Sequence, residues 1–343
     1  MYGESDIDSA VAAGVITPDV AAAFRNYIAS GRSAPAVDEE HFRLLTGFND
    51  IFVTIALSLT LAAIGWIGAR IAPMAGGAGV AAASWLLAEY FTRHRRMALP
   101  SILLLLAFAG GVAATQIGIV VKINPDLPDR IDAIIGAGIA AVTAGATWLH
   151  WRRFMVPITV AAGALALVAV AMALTLAAFP AAKDAIYPIT LAGGALVFAI
   201  AMWWDTSDKE RRTRRADVAF WLHLAAAPLI AHPIFQMLGV FNADVDAAKA
   251  VVVLALYVVF AFVALAVDRR ALLVSSLVYV LYAMYALFKG AGAVELSAAL
   301  TAFVIGSALL VLSVFWHQMR SLVVSSLGGL RDRLPPVQTL VPA

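Results

Sequence analysis

A chain of 343 residues that is 62% hydrophobic and 13% charged has too much apolar surface for a water-soluble fold, and about half the charge usual in soluble domains. Its formal net charge of +2 is too small to point to nucleic acid, and without cysteine it has no disulfide, thiolate nucleophile or cysteine-ligated metal. What remains is a protein with hydrocarbon as the solvent for most of its side chains.

The opening "MYGESDIDSAVAAG" has neither the basic n-region nor the apolar h-region of a signal peptide, so the first true span is expected to direct insertion. Residues 1–46 read as a small polar region holding two short helices and a linker. "ESDIDSAVAAG" has acidic residues in its first turn and Gly14 as its stop. "ITPDVAAAFRNYIASG" restarts with Thr17 as N-cap and Pro18 at the first helical position, with Val20, Phe24, Tyr27 and Ile28 on one face and Gly31 at its end. Two helices of this size cannot build a core alone, so they are expected to pack on each other and on the membrane domain or a partner. "GRSAPAVDEEH" then reads as the linker.

From residue 48 the chain runs in apolar stretches of the length that a hydrocarbon layer of ~30 Å requires. Ten spans are predicted, at 50–70, 72–91, 98–121, 131–150, 154–178, 187–204, 217–240, 248–267, 271–288 and 295–316. They give an all-α polytopic bundle of five hairpins over residues 47–317, followed by a tail, 318–343. The loops test the count. Alternate turns "TRHRRM", "HWRRF", "DTSDKERRTRRAD" and "DRR" carry twelve Lys or Arg, whereas the opposite turns hold six: Arg70, Lys122, Arg130, Lys183, Lys249 and Lys289. That bias puts both termini on the cytoplasmic side.

A repeat accompanies the bias. Arg43, Arg95, Arg152, Arg214 and Arg269 open the outward-going spans at steps of 52, 57, 62 and 55. "RRMALPSILLL", "RRFMVPITVAAG" and "RRALLVSSLVYV" are alike, and the last resembles "MRSLVVSSLGGL" in the tail. A duplicated two-helix unit and a regular hairpin array both give this spacing. In the tail, Leu322, Val323, Ser326, Leu327 and Leu330 with Arg320, Arg331 and Arg333 suggest a helix lying at the interface, ended by Pro335 and Pro336.

Ionisable groups inside spans are costly, so each is a candidate site. Glu89 lies four residues before Arg93, which fits an interfacial ion pair or a pathway-lining group. Asn49 and Asp50 suit a helix start, Glu295 suits another, and Gln116 suits a bond to a neighbouring helix. Lys209, Arg211, Arg212, Arg214 and Arg215 form the strongest charge run, a solvated loop or a contact for anionic lipid headgroups. Tyr282, near mid-span in the series Tyr279, Tyr282, Tyr285 and Phe288, suits packing or a cavity wall. Gly136, Ala140 and Ala144 at four-residue steps predict a close-packed helix face. The glycine-rich "AGGAGVAAAS" opens a span and does not follow a strand.

The stretch "LAAAPLIAHPIFQMLG" is the strongest candidate for a working part. Pro228 and Pro233 each remove a ladder donor, freeing carbonyls near Leu224 and Leu229 that lipid cannot satisfy. His232 and Gln236 share a face, and His223 lies deeper toward the basic turns. A break or kink between Leu224 and Pro233 is expected, either packed against neighbouring helices or lining a polar cavity where a histidine carries protons or binds a solute. The six histidines are scattered without a metal-binding pair, and there is no GxSxG elbow, Walker loop or nucleotide fingerprint. No cofactor, metal or catalytic set is therefore expected.

"VAAGVITPDVAAAFRNYI", leading into "FRLLTGFNDIFVTIALSL", resembles a loose group of bacterial polytopic membrane proteins of unknown function. In these a short helical hairpin with a G-apolar-Ile-Thr/Ser turn precedes eight to twelve spans. The resemblance implies the bacterial inner membrane and carries no activity with it. The expected role is a non-enzymatic membrane partner or envelope-maintenance protein, with the lipid bilayer and a protein docked on the N-terminal helical pair as its partners. The alternative is a transporter or channel for a small solute, its pathway lined by the broken seventh span.

Overall fold

The structure, a computed structural model, describes residues 4–32, 48–123, 128–209, 211, 213–240, 247–290, 292 and 295–337. Among them every regular element is helical. The linker at 33–47, with Arg43, and the side chain of Ile28 lie outside the described residues.

The N-terminal pair is α1 (Glu4–Ala12) and α2 (Pro18–Arg32), joined through Gly14 at φ 71°. Thr17 caps α2 by accepting from the amide of Val20, and Arg25 pairs with Asp8 across the two helices at 2.7 Å. α1 and α2 pack on each other, with Ala21 buried. The apolar stripe is elsewhere: Val20, Phe24 and Tyr27 are 55%, 51% and 75% exposed.

The membrane domain comprises α3 (Phe48–Ile71), α4 (Ala75–Ala88), α5 (Ala98–Ile123), α6 (Asp129–Phe154), α7 (Ile158–Ala178), α8 (Ile186–Thr206), α9 (Arg214–Met237), α10 (Ala247–Val267), α11 (Ala271–Gly290) and α12 (Ser297–Val314). Among the described residues nine helices are long and apolar enough to cross a bilayer. The chain is an all-α multi-pass membrane protein. The exception is the second expected span. α4 has 14 residues, and at Glu89 the hydrogen bonding widens into a six-residue π-helix, Glu89–His94, so that this span reaches crossing length only with the π segment.

The pairing is offset by one helix from the expected unit. The most extensive contacts join α4 to α5, α6 to α7, α8 to α9 and α10 to α11, the pairs linked by arginine-rich turns. Three of these turns are short, and each of the four contains a non-glycine residue in the left-handed region: Arg96 (φ 51°), Met155 (φ 56°), Arg211 (φ 53°) and Asp268 (φ 61°). Such residues are uncommon outside glycine, and they recur here 59, 56 and 57 positions apart. A tight reversal forces its two helices to be neighbours, which is why the basic turns set the packing. It also gives the sequence repeat a counterpart in the backbone.

Glycine spacing brings helices together, though not where the sequence suggested. A Cβ at Gly136 would meet open space. Close approach occurs in α4 instead, where a Cβ on Gly77 would lie 2.8 Å from the Gly111 carbonyl of α5. Small residues at four-residue steps are necessary for such a contact, and a facing small residue decides whether it forms. Gln116 donates to the Ile139 carbonyl at 3.5 Å, linking α5 to α6 as its place in the span suggested. Asp50 lies buried in the first turn of α3.

α9 is the hub. It packs on α7, α8 and α11, and 56% of its apolar window is buried inside the protein, against 39% or less for every other described span. A helix with this much protein around it can carry polar residues that lipid would reject.

After α12 the chain turns at once into α13 (Trp316–Ser326) and a 3-10 turn, Gly328–Arg333. A helix forms where one was expected to lie at the interface, but its inner face is Trp316, Arg320 and Val324, all buried, while Leu322 is 65% exposed. Arg320, read as a surface charge, points inward.

Candidate functional site

Three connections between helices bring charged groups to the arginine-rich end of the second half. The last turn of α8 carries Asp205, the 207–213 loop carries Arg211, the turn after α10 carries Asp268 and Arg269, and the first turns of α13 carry Trp316 and Arg320. His223 reaches the same place from within α9. All but Arg211 are at least nine-tenths buried: Asp205 is 1% exposed, His223 3%, Asp268 4%, Arg269 4% and Arg320 1%.

Two carboxylates organise the group. The Oδ1 of Asp205 accepts from Arg269 Nη2 at 2.5 Å, and its Oδ2 lies 2.9 Å from His223 Nε2 and 3.2 Å from Arg269 Nε. Bidentate guanidinium pairing of this kind fixes both orientation and charge. The histidine bond requires a proton on Nε2 whether the ring is neutral or charged. Asp268 accepts from Arg211 Nη1 at 2.8 Å on one oxygen and from Trp316 Nε1 at 2.9 Å on the other, where Arg320 Nε also approaches to 3.4 Å.

Three guanidiniums face two carboxylates, and main-chain carbonyls absorb the excess. Arg320 donates to the Pro335 and Pro336 carbonyls at 2.7 and 3.1 Å, and Arg269 to that of Ala216 at 3.3 Å. Arg211 donates to the carbonyls of Val267 and Asp268 at 3.3 and 3.2 Å, capping the C-terminus of α10 where the helix dipole favours a cation. Burial pushes the Arg211 guanidinium below its usual value, with Arg269 adding to the effect and Asp268 opposing it. The cavity beside His223 and Arg269, walled by Phe198, Val263, Val267 and Leu272, has no room for a water molecule. The network ties five separate segments of chain together.

The other half holds a looser counterpart. Glu89, at the head of the π segment, accepts from Arg153 of α6 through Nε at 2.6 Å and Nη2 at 2.9 Å, and more weakly from Arg93 at 3.4 Å. The expected pair across one helical turn is therefore present but subordinate to a bond between helices. Nearby His150 is fully buried among Trp85, Phe108 and Phe154, with Thr159 Oγ1 3.5 Å from its Nδ1.

The sequence-predicted residues do not converge on one place. Of the break or kink expected in the seventh span, the break is absent: α9 is one uninterrupted helix across Pro228 and Pro233. The carbonyl of Leu229, which Pro233 deprives of its donor, is covered by α8, since a Cβ on Gly194 would lie only 2.9 Å from it. Protein, not lipid, therefore lies against this carbonyl, and the helix stays continuous. Pro228 and His232 lie one turn apart on the exposed face, Pro233 is buried and Gln236 half-buried. His232 bonds through Nδ1 to the Tyr279 hydroxyl of α11. Tyr282 sits on the outer surface, 37% exposed.

The charge run divides. Lys209, Arg214 and Arg215 are exposed, Arg211 is turned inward, and Arg212 lies outside the described residues. The arginine expected to touch lipid is instead needed to neutralise Asp268. Sequence reasoning missed Asp205, Asp268, Arg269, Trp316 and His150. The available signal was the aspartate at the end of "AMWWDT" and the one heading "VDRR", each beside an apolar run where a solvated turn has no need of a carboxylate.

Among the described residues no group of three His, Cys, Asp or Glu could hold a metal ion. Comparison of the chain with protein-family models, with curated proteins and with solved structures finds no match.

Proposed function

We propose that this protein is a non-enzymatic docking protein of the bacterial inner membrane, with both termini cytoplasmic and α2 as the segment a partner recognises. The observation that carries this reading is the exposed stripe of Val20, Phe24 and Tyr27. These residues stand at i, i+4 and i+7, the anchor spacing of an amphipathic helix that seats in an apolar groove. α1 packs against the adjoining face, where Ala21 is buried and Arg25 pairs with Asp8, and leaves the stripe uncovered. Glu4, Asp6, Asp8 and Asp19 outnumber Arg25 and Arg32 in the pair, which favours a basic partner over an anionic lipid surface. The loop-charge bias supports the orientation.

Of the histidines that a solute pathway would use, His223 is bonded to Asp205 inside the bundle and His232 to Tyr279 on the exposed face of α9, and this weighs against transport. A photoreactive residue at position 24, introduced into the full chain in native membranes, should give one discrete adduct. Tyr27→Asp should remove the adduct while membrane insertion persists. Absence of an adduct from positions 20, 24 and 27 overturns the reading. Because the chain has no cysteine, a single cysteine at 232 or 236 reports the alternative: reaction with a membrane-impermeant maleimide favours a pathway.

A further inference from the structure

The arginine-rich end of the first half is open, where that of the second half is covered by α13. Arg93, Arg95 and Arg96 stand at the end of the π segment and in the turn into α5, Arg152 and Arg153 in the last turn of α6, and all five are exposed. The bond from Arg153 to Glu89 joins the two places into one face. Among the described residues Glu89 is the one carboxylate that pairs with any of the five, through Arg153 and, at 3.4 Å, through Arg93. Five arginines against one carboxylate leave this face strongly positive. We propose that it is a contact surface for anionic phospholipid headgroups of the adjoining leaflet, with Arg95 and Arg152 as the side chains that take the phosphates.

The occupant follows from the depth of the face. α6 has spanning length and composition, and Trp148 and Leu149 near its arginine-rich end are exposed, as are Leu86 and Tyr90 on the neighbouring span. In a bilayer such side chains meet hydrocarbon and the boundary layer where aromatic rings settle. Charges about one turn farther out along the same helices lie at the level of the phosphates. A soluble acidic protein would reach the arginines alone, whereas lipid touches the rings and the arginines together.

Geometry selects the two arginines. The Arg152 guanidinium lies over the ring of Trp148, 5.1 Å from its centroid, and that of Arg95 over Tyr90 at 5.9 Å. Stacking uses the flat face of a guanidinium and leaves its in-plane N–H groups to a phosphate, which accepts them in pairs. Among the described residues no acceptor bonds either set of N–H groups. The second half has no equivalent surface. Arg211, Arg269 and Arg320 are bound to Asp268 and Asp205, and the exposed Lys209, Arg214 and Arg215 share their run with Asp208 and Asp217.

The test is lipid retention by the purified full chain, read by native mass spectrometry from micelles holding equimolar phosphatidylglycerol and phosphatidylcholine. Phosphatidylglycerol is expected to be retained in preference. Arg152→Gln and Arg95→Gln should each lower that preference about fivefold, the scale of one basic side chain at an anionic surface. Trp148→Leu, which takes away the ring under Arg152, should lower it as well, and Trp148→Phe should restore it. Glu89→Gln removes the paired carboxylate and should raise the preference, a gain in place of a loss. Arg214→Gln, in the other half, should change nothing. Equal retention of the two lipids by the wild-type chain overturns the proposal, and that comparison needs no variant to fold. So does an equal effect of Arg214→Gln and Arg152→Gln. Displacement of the lipid by inorganic phosphate at constant ionic strength would assign the arginines to a soluble anion and overturn it too. A gain on neutralising Asp38, Glu39 and Glu40 together that matches the gain from Glu89→Gln would give the face to the acidic linker instead.

Discussion

The two halves of the membrane domain use the same turn text for opposite purposes. In α4–α7 the pair after "HW" gives Arg152 stacked over Trp148 at 5.1 Å and Arg153 bound to a half-exposed Glu89, while the helices meet through glycine. In α8–α13 the pair after "VD" gives Arg269 buried on Asp205 and Arg270 stacked on Trp316. The difference is what lies above the turn. The second half has α13 folded back over its end, so the same arginines are removed from water and must be matched by carboxylates and carbonyls. A repeated motif therefore fixes the reversal of the chain, and the covering segment decides whether its charges are surface or core.

The largest effect expected from breaking this contrast is at Asp205. Asp205→Ala leaves Arg269 buried without its carboxylate, a loss of ~3–5 kcal/mol, readable as a lowered melting temperature in detergent. Combining it with Arg269→Met should recover most of that loss, because matched apolar replacements of buried pairs are tolerated. A double variant as unstable as the single one would show that the arginine is not what Asp205 neutralises.

The first half should respond to shape, not charge. Gly77→Val places carbon against the Gly111 carbonyl and should cost about 1–3 kcal/mol, the usual penalty of overpacking. Gly136→Val, facing open space, is its control and should melt like the wild type. If both behave alike, the α4–α5 approach is not what holds that half.

His232→Ala comes next. It removes one bond to Tyr279 from the exposed face of α9, worth ~0.5–1.5 kcal/mol by thermal unfolding. A loss on the scale of Asp205→Ala would give His232 a weight that its exposed position does not. The smallest change belongs to Glu89→Gln, where a half-exposed pair is screened by water. No resolvable shift in melting is expected, and a large one would erase the distinction between the halves.

Much of this protein was determined along the chain. The helical class follows from apolar runs near twenty residues long in a medium that offers no partner for open backbone. The four basic turns, the helical pair with its Val20–Phe24–Tyr27 stripe and the Gln116 bond between helices were legible because each depends on local spacing. The glycine text of α4 was legible as the opening of a span but not as a packing face, since Gly77 needs Gly111, 34 positions away, to receive it.

Tertiary structure alone decided the rest. What lies against the Leu229 carbonyl freed by Pro233 is decided by Gly194 of α8, and whether Arg211 meets lipid or Asp268 depends on the neighbouring turn. Charge makes the same point most sharply. "DRR" and "MRSLVV" read as solvated basic text, yet Asp268, Arg269 and Arg320 are core residues. Burial of an ion is a property of everything packed around it, and its energy is set by partners drawn from five separate segments. A single sequence records the charges and their spacing; the fold selects which of them face each other out of water.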